Sequence, residues 1–238
     1  MTTPEVLVEF AGVVKDYQAL RPLRVADLRV TRGAVVSVSG PDVLAAEVLV
    51  NLMTAAMRPD QGVVRLFGQS TETIDDYDGW LAMLDGFGLV TARAVLLEQC
   101  SIAQNLALPL TLSIDPIDPT VLPAVEALAD EVGIARAAMT SLVRGADPDV
   151  VQRLRLARAL ALNPRLVVAE HPSASLPRPS VEPFARDLVR IASRRGVGLL
   201  VFTSDKDFVR ALGGTALTLD PKTGLLAKPG LLARLGLG

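Results

Sequence analysis

The 238-residue sequence predicts an α/β protein with a mostly parallel sheet core, an antiparallel β portion ahead of it and a helical insert. Three observations predict this. The last third alternates β-rich runs with helical stretches, which calls for a parallel sheet covered on both faces. The first third consists of short β-branched runs separated by turn residues, as antiparallel strands are. Between them, the chain from Gln99 to about Leu162 reads as mostly helical.

The elements follow in order. Val6 to Phe10, Leu23 to Val30 and Ala34 to Ser39 are predicted strands, with Arg32-Gly33 as the turn before the third. After Gly40 the period becomes helical, with Leu44, Val48 and Leu52 spaced by four. Pro59 and Gly62 close that helix, and Val63 to Phe67 forms another strand ending at Gly68. The segment Asp75 to Gly88 is acidic and aromatic, and its Trp80 is expected to anchor against the core. The helical insert, roughly residues 93–150, is broken at Asp115 to Pro119 and at Gly145 to Asp149. Leu166 to Ala169, Gly198 to Thr203 and Thr215 to Leu219 are strands, alternating with helices at Val181 to Arg194 and Lys206 to Leu212. With 50% hydrophobic residues the chain can bury one sizeable core, and residues 1–238 are expected to form a single domain.

Composition excludes some partners. The formal charge of −2 and the absence of any long Lys/Arg run argue against nucleic acid. The single cysteine, Cys100, cannot form an internal disulfide and reads as a small half-buried side chain. MTTPEVLVEF lacks the basic and apolar regions of a signal peptide, and no apolar run approaches the ~20 residues that span a bilayer. A soluble cytoplasmic protein is expected, meeting a membrane only through a partner.

Three stretches carry a resemblance to the ATP-binding subunits of ATP-binding-cassette (ABC) transporters. Val35 to Gly68, VVSVSGPDVLAAEVLVNLMTAAMRPDQGVVRLFG, is similar to the family's strand, P-loop, helix and return strand. Asn105 to Leu110, NLALPL, resembles the segment after the Q-loop in lipid- and lipoprotein-handling members. Gln152 to Leu176, QRLRLARALALNPRLVVAEHPSASL, is similar to the helix and Walker B strand that follow the signature motif. The resemblance implies a P-loop NTPase-like fold with Leu166 to Ala169 beside the strand leading to Gly40. It also implies a partner, either a membrane permease subunit or another ABC ATPase in a homo- or heterodimer, and a peripheral place at the inner membrane face.

The motif positions themselves have lost their chemistry. A P-loop G-x-x-x-x-G-K-[ST] uses a second glycine for backbone approach, a lysine to offset phosphate charge and a hydroxyl to ligate magnesium. Counting from Gly40, Pro41 and Asp42, the second glycine is Ala45, the lysine is Ala46 and the hydroxyl is Glu47. Asp42 and Glu47 are expected to serve instead as built-in anions at the helix N-terminus. By the resemblance, the Walker B pair falls on Glu170 and His171, the Q-loop glutamine on Ala92, the switch histidine on Ser204 and the D-loop aspartate on Pro177. The signature falls on Ala146, Asp147, Pro148, Asp149 and Val150, where acids repel phosphate and a proline removes a donor. His171, the only histidine, is expected to be structural and hydrogen-bonded rather than catalytic. Tyr17 matches the family's adenine-stacking aromatic and can equally be a packing residue.

The sequence therefore points to a pseudo-ATPase, a structural or regulatory ABC subunit with no cofactor or metal. The alternative is an active ATPase, energising transport such as lipid or lipoprotein export, with ATP and magnesium held through Glu170, Tyr17 and a relocated cation. Arg93 and Arg144 are the candidates for that charge, although neither lies at P-loop spacing. A heterodimer in which this chain is the degenerate half fits less well, because both its P-loop and its signature are altered.

Overall fold

A computed structural model of the chain describes residues 4–74 and 76–228, so Asp75 and both ends of the 1–238 span lie outside the described residues. Strands β1 (Val6–Lys15), β2 (Leu23–Thr31) and β3 (Val35–Ser39) lead into helix α1 (Val43–Met53). Then come β4 (Gln61–Leu66), β5 (Gln69–Ser70), α2 (Tyr77–Leu84) and β6 (Phe87–Val90). The insert contributes α3 (Ile102–Ala107), α4 (Leu122–Val132) and the start of α5 (Pro148–Leu160). The remainder is β7 (Leu166–Glu170), α6 (Arg178–Arg195), β8 (Gly198–Phe202), α7 (Lys206–Leu212), β9 (Thr215–Leu219) and β10 (Leu225–Ala227).

Among the described residues, ten strands join one sheet in the order β5-β4-β1-β2-β10-β9-β3-β8-β7-β6. Strands β9, β3, β8, β7 and β6 run parallel, while β5, β4, β1 and β2 form the antiparallel portion. The parallel strands are apolar throughout because both faces are covered. In β7, Leu166 and Val168 enter one core while Val167 and Ala169 enter the other; Leu200 and Phe202 of β8 alternate with Leu199 and Val201 in the same way. One core contains α1 and the antiparallel strands, and the other contains the helices from α3 to α7. Among the described residues no helix is long and apolar enough to cross a membrane.

Three expectations change. Strand β7 does not lie beside β3, because β8 pairs with both and separates them. The five residues of β8 are all buried, and they fill the centre of the parallel portion of the sheet. Val48 and Leu52 of α1 are buried as expected, but Leu44 is 49% exposed, because at the start of the helix Ala45 and Ala46 turn to the core instead. The insert is less helical than its pattern suggested: α3 has 6 residues, and residues 108–121 are turns around an Ile114–Ile117 bridge. The short strands β5, β6 and β10 had no periodic signal long enough to read. Trp80 does anchor, donating its Nε1 to the Thr54 carbonyl at 2.8 Å and packing on the core beneath α1.

Candidate functional site

The site lies where the parallel strands end. Strand β3 passes into Gly40 at φ +92°, and a Cβ there would stand 2.4 Å from the Leu219 carbonyl oxygen of β9. Gly40 is thus required by the backbone alone, whether or not a phosphate is bound. Pro41 is buried, and Asp42 caps α1 by accepting from the Ala45 amide at 2.8 Å. Ala45 and Ala46 are 2% and 1% exposed and belong to the core, so the lysine position is filled by a buried methyl group.

Glu47 has a different role from the one expected. It stands beyond the first turn of α1, which carries no acid, and its Oε1 lies 2.9 Å from Nη1 of Arg93. Arg93 follows β6 and makes a two-point contact with Glu170 at the end of β7, Nη2 to Oε1 at 2.5 Å and Nε to Oε2 at 3.2 Å. The Thr91 hydroxyl donates to Glu170 Oε2 at 2.7 Å. Burial works against the charge on Arg93, but the hydrogen bonds and charges of Glu170 and Glu47 outweigh it and hold the guanidinium above the usual arginine value. Ala92, beside it, is exposed and lines a cleft of about 400 Å³ together with Arg93 and Arg144.

His171 has φ +44°, and its amide donates to the Phe202 carbonyl at 2.7 Å. Its Nε2 is buried with no hydrogen-bond partner among the described residues, so the satisfied environment expected for this ring is not what the fold supplies. His171 and Ser204 do share a cleft, of about 280 Å³, whose rim carries an Arg178–Asp205 ion pair at 2.9 Å.

At the signature position the acids are structural. Asp147 caps α5 by accepting from the Asp149 amide at 2.8 Å, and Pro148 occupies the first turn, where a missing N–H costs nothing. Asp149 pairs with Arg153 at 2.6 Å, and Arg153 also reaches Asp187 of α6 at 3.0 Å and the Val132 carbonyl at 2.5 Å. The Ala146 amide closes a turn onto the Val143 carbonyl, and Val150 packs on the core. Tyr17 also packs on the core, and it shares a cleft of about 310 Å³ with Gly40, Asp42 and Asp220. Burial first, and the Asp42 charge second, raise its hydroxyl pKa. Among the described residues, no group of three or more His, Cys, Asp or Glu side chains is placed to hold a metal ion.

The fold thus unites Glu47, Arg93 and Glu170, and separately His171 with Ser204, and Tyr17 with Gly40 and Asp42. The sequence offers Arg93 only as a candidate counter-charge for phosphate, alongside Arg144; its pairing with Glu47 and Glu170 is visible only in the fold. Its one signal was isolation, since Arg93 is the sole basic residue between Arg65 and Arg136.

A central parallel strand that enters a helix through a glycine turn, with the candidate site at the strand ends, defines a P-loop NTPase-like α/β protein. No family model matches the chain. It is 31% identical over 207 residues to the lipoprotein-releasing system ATP-binding protein LolD of Anaeromyxobacter dehalogenans, covering 83% of this chain and 84% of LolD. It is 29% identical over 223 residues to the methionine import ATP-binding protein MetN 2 of Burkholderia mallei, across 91% of this chain. The chain spans about half the length of that methionine-import relative (55%). Among solved structures, the dimeric bacterial ABC transporter cassette MJ0796 superposes with a TM-score of 0.73 at 20% identity, covering 93% of this chain and 98% of that one. The chain belongs to the ATP-binding-protein family of ABC transporters.

Proposed function

We propose that this chain is a non-hydrolysing subunit of an ABC transport complex, held at the inner face of the membrane by a permease subunit, a second ATP-binding subunit, or both. The carrying observation is that the two helix N-termini at the P-loop and signature positions are capped from within, by Asp42 on α1 and Asp147 on α5. Free helix N-termini attract phosphate through exposed N–H groups and the helix dipole. Here each carboxylate engages one of those groups, the Ala45 amide on α1 and the Asp149 amide on α5, and puts negative charge where phosphate would lie. At about 4 Å a like-charge contact costs from about 1 kcal/mol in water to about 4 kcal/mol at an effective dielectric near 20, and exposure of both aspartates puts them toward the lower figure; Ala46 supplies no cation to offset it.

The residues present do not fit a magnesium-bound triphosphate. The hydroxyl position is a carboxylate, Glu47, and both it and Glu170 are engaged by Arg93. Stacking on Tyr17 alone contributes only about 1–3 kcal/mol, which corresponds to very weak binding.

Thermal unfolding of the whole chain with and without ATP and magnesium tests the reading. A site with a Kd a hundredfold below the ligand concentration adds about 2.7 kcal/mol, or roughly 5–10 °C for a chain of this size. No shift is expected at millimolar ATP; a rise of that size sinks the proposal in favour of an active or regulated ATPase. Because MJ0796 is a dimeric cassette, co-purification from membranes with an affinity-tagged chain should look for a second copy as well as a permease. The recovered permease would also identify the cargo class.

A further inference from the structure

We infer that Arg93 is the resident cation of this site, a guanidinium that holds Glu47 and Glu170 in place of an external divalent ion and straps the start of the insert to the core. The inference rests on the reading that the chain works without nucleotide. All three guanidinium nitrogens of one side chain meet carboxylates from two different elements: Nη2 and Nε hydrogen-bond Glu170 of β7, and Nη1 lies in ion-pair contact with Glu47 of α1. Arg93 itself follows β6, so a single planar group ties three elements together where they converge.

This is not an ordinary surface pair, most of which contribute little. The Glu170 side chain is only 10% exposed, and both of its oxygens are engaged, one by Nη2 and the other by Nε and the Thr91 hydroxyl. A carboxylate so enclosed needs a permanent positive partner, because leaving it alone strands a desolvated charge. A metal ion would meet that need only by displacing the guanidinium. The fork geometry also excludes lysine as a substitute, since an ammonium is a point charge that cannot contact both Glu170 oxygens while reaching Glu47.

The test compares the whole chain with Arg93→Gln, Arg93→Lys and the triple variant Glu47→Gln/Arg93→Gln/Glu170→Gln by thermal unfolding at pH 7.5. Arg93→Gln is expected to lower the melting temperature by roughly 5 °C, Arg93→Lys to recover less than half of that, and the triple variant to recover most of it. If Arg93→Gln does not fold, a folded triple variant supports the inference equally. An unchanged Arg93→Gln, or a triple variant no more stable than the single one, overturns it. So does a manganese titration followed by electron paramagnetic resonance in which the unmodified chain binds the ion stoichiometrically and Glu170→Gln abolishes the binding. Stabilisation by ATP would refute the reading that the chain works without nucleotide and would leave the charge coupling untouched, so the two failures are distinguishable.

Discussion

Asp42 and Glu47 are both acids at the P-loop position, yet they do different work. The Asp42 carboxylate accepts the Ala45 amide and satisfies a backbone group that helix geometry leaves free. Asp42→Ala should therefore cost about 1 kcal/mol, seen as a fall of roughly 2–4 °C in melting temperature. Asp42→Ser should restore most of it; a melting curve for the alanine variant that superposes on the original would remove the cap from the account. The Asp42 role was legible because a cap is read within three residues of its target. The Glu47 role was not, because nothing near it in sequence shows that Arg93 comes within 2.9 Å.

Between elements, the clearest fastening is Arg153 of α5, which holds Asp149 on its own helix, the end of α4 through the Val132 carbonyl, and Asp187 of α6. Burial opposes the Asp187 charge, but hydrogen bonds and charge from Arg190 and Arg153 win and hold its pKa below the usual carboxylate value. A lowered folded pKa means stability that is complete above the unfolded value of about 4 and is lost as pH falls below it toward the folded value. Asp187→Asn should thus cost about 1–2 kcal/mol at pH 7, and its deficit relative to the original chain should narrow in melts below pH 4. A deficit that is the same at pH 7 and pH 3 would mean that the asparagine acts by packing rather than by charge. The sequence shows α6 and the helical character of the stretch that holds α4 and α5, but not their fastening. Asp187 and Arg153 are 34 residues apart, and only the packing of α4 against both α5 and α6 brings them together.

At the scale of the whole molecule, the altered positions act together. Restoring the P-loop pair with Ala46→Lys/Glu47→Ser should leave the chain without sub-millimolar ATP binding in equilibrium dialysis, because Asp42, Asp147 and Arg93 still answer the phosphate and cation positions from within. Tight binding gained from those two changes alone would show that the loss is confined to the P-loop. The sequence by itself determined the α/β class, the glycine turn after β3, the antiparallel portion, the acid at the start of α1 and the missing lysine. These are written in spacings of two to four residues, and local hydrogen bonding and burial act over that range. Only the tertiary structure decided that β8 separates β7 from β3, that His171 Nε2 is left without a partner, and that Arg93 meets a carboxylate 77 residues away. Such contacts depend on the order in which the strands cross over to enter the sheet. The free energy that sets this order comes from burying both faces of the sheet at once, and no single stretch of chain encodes it.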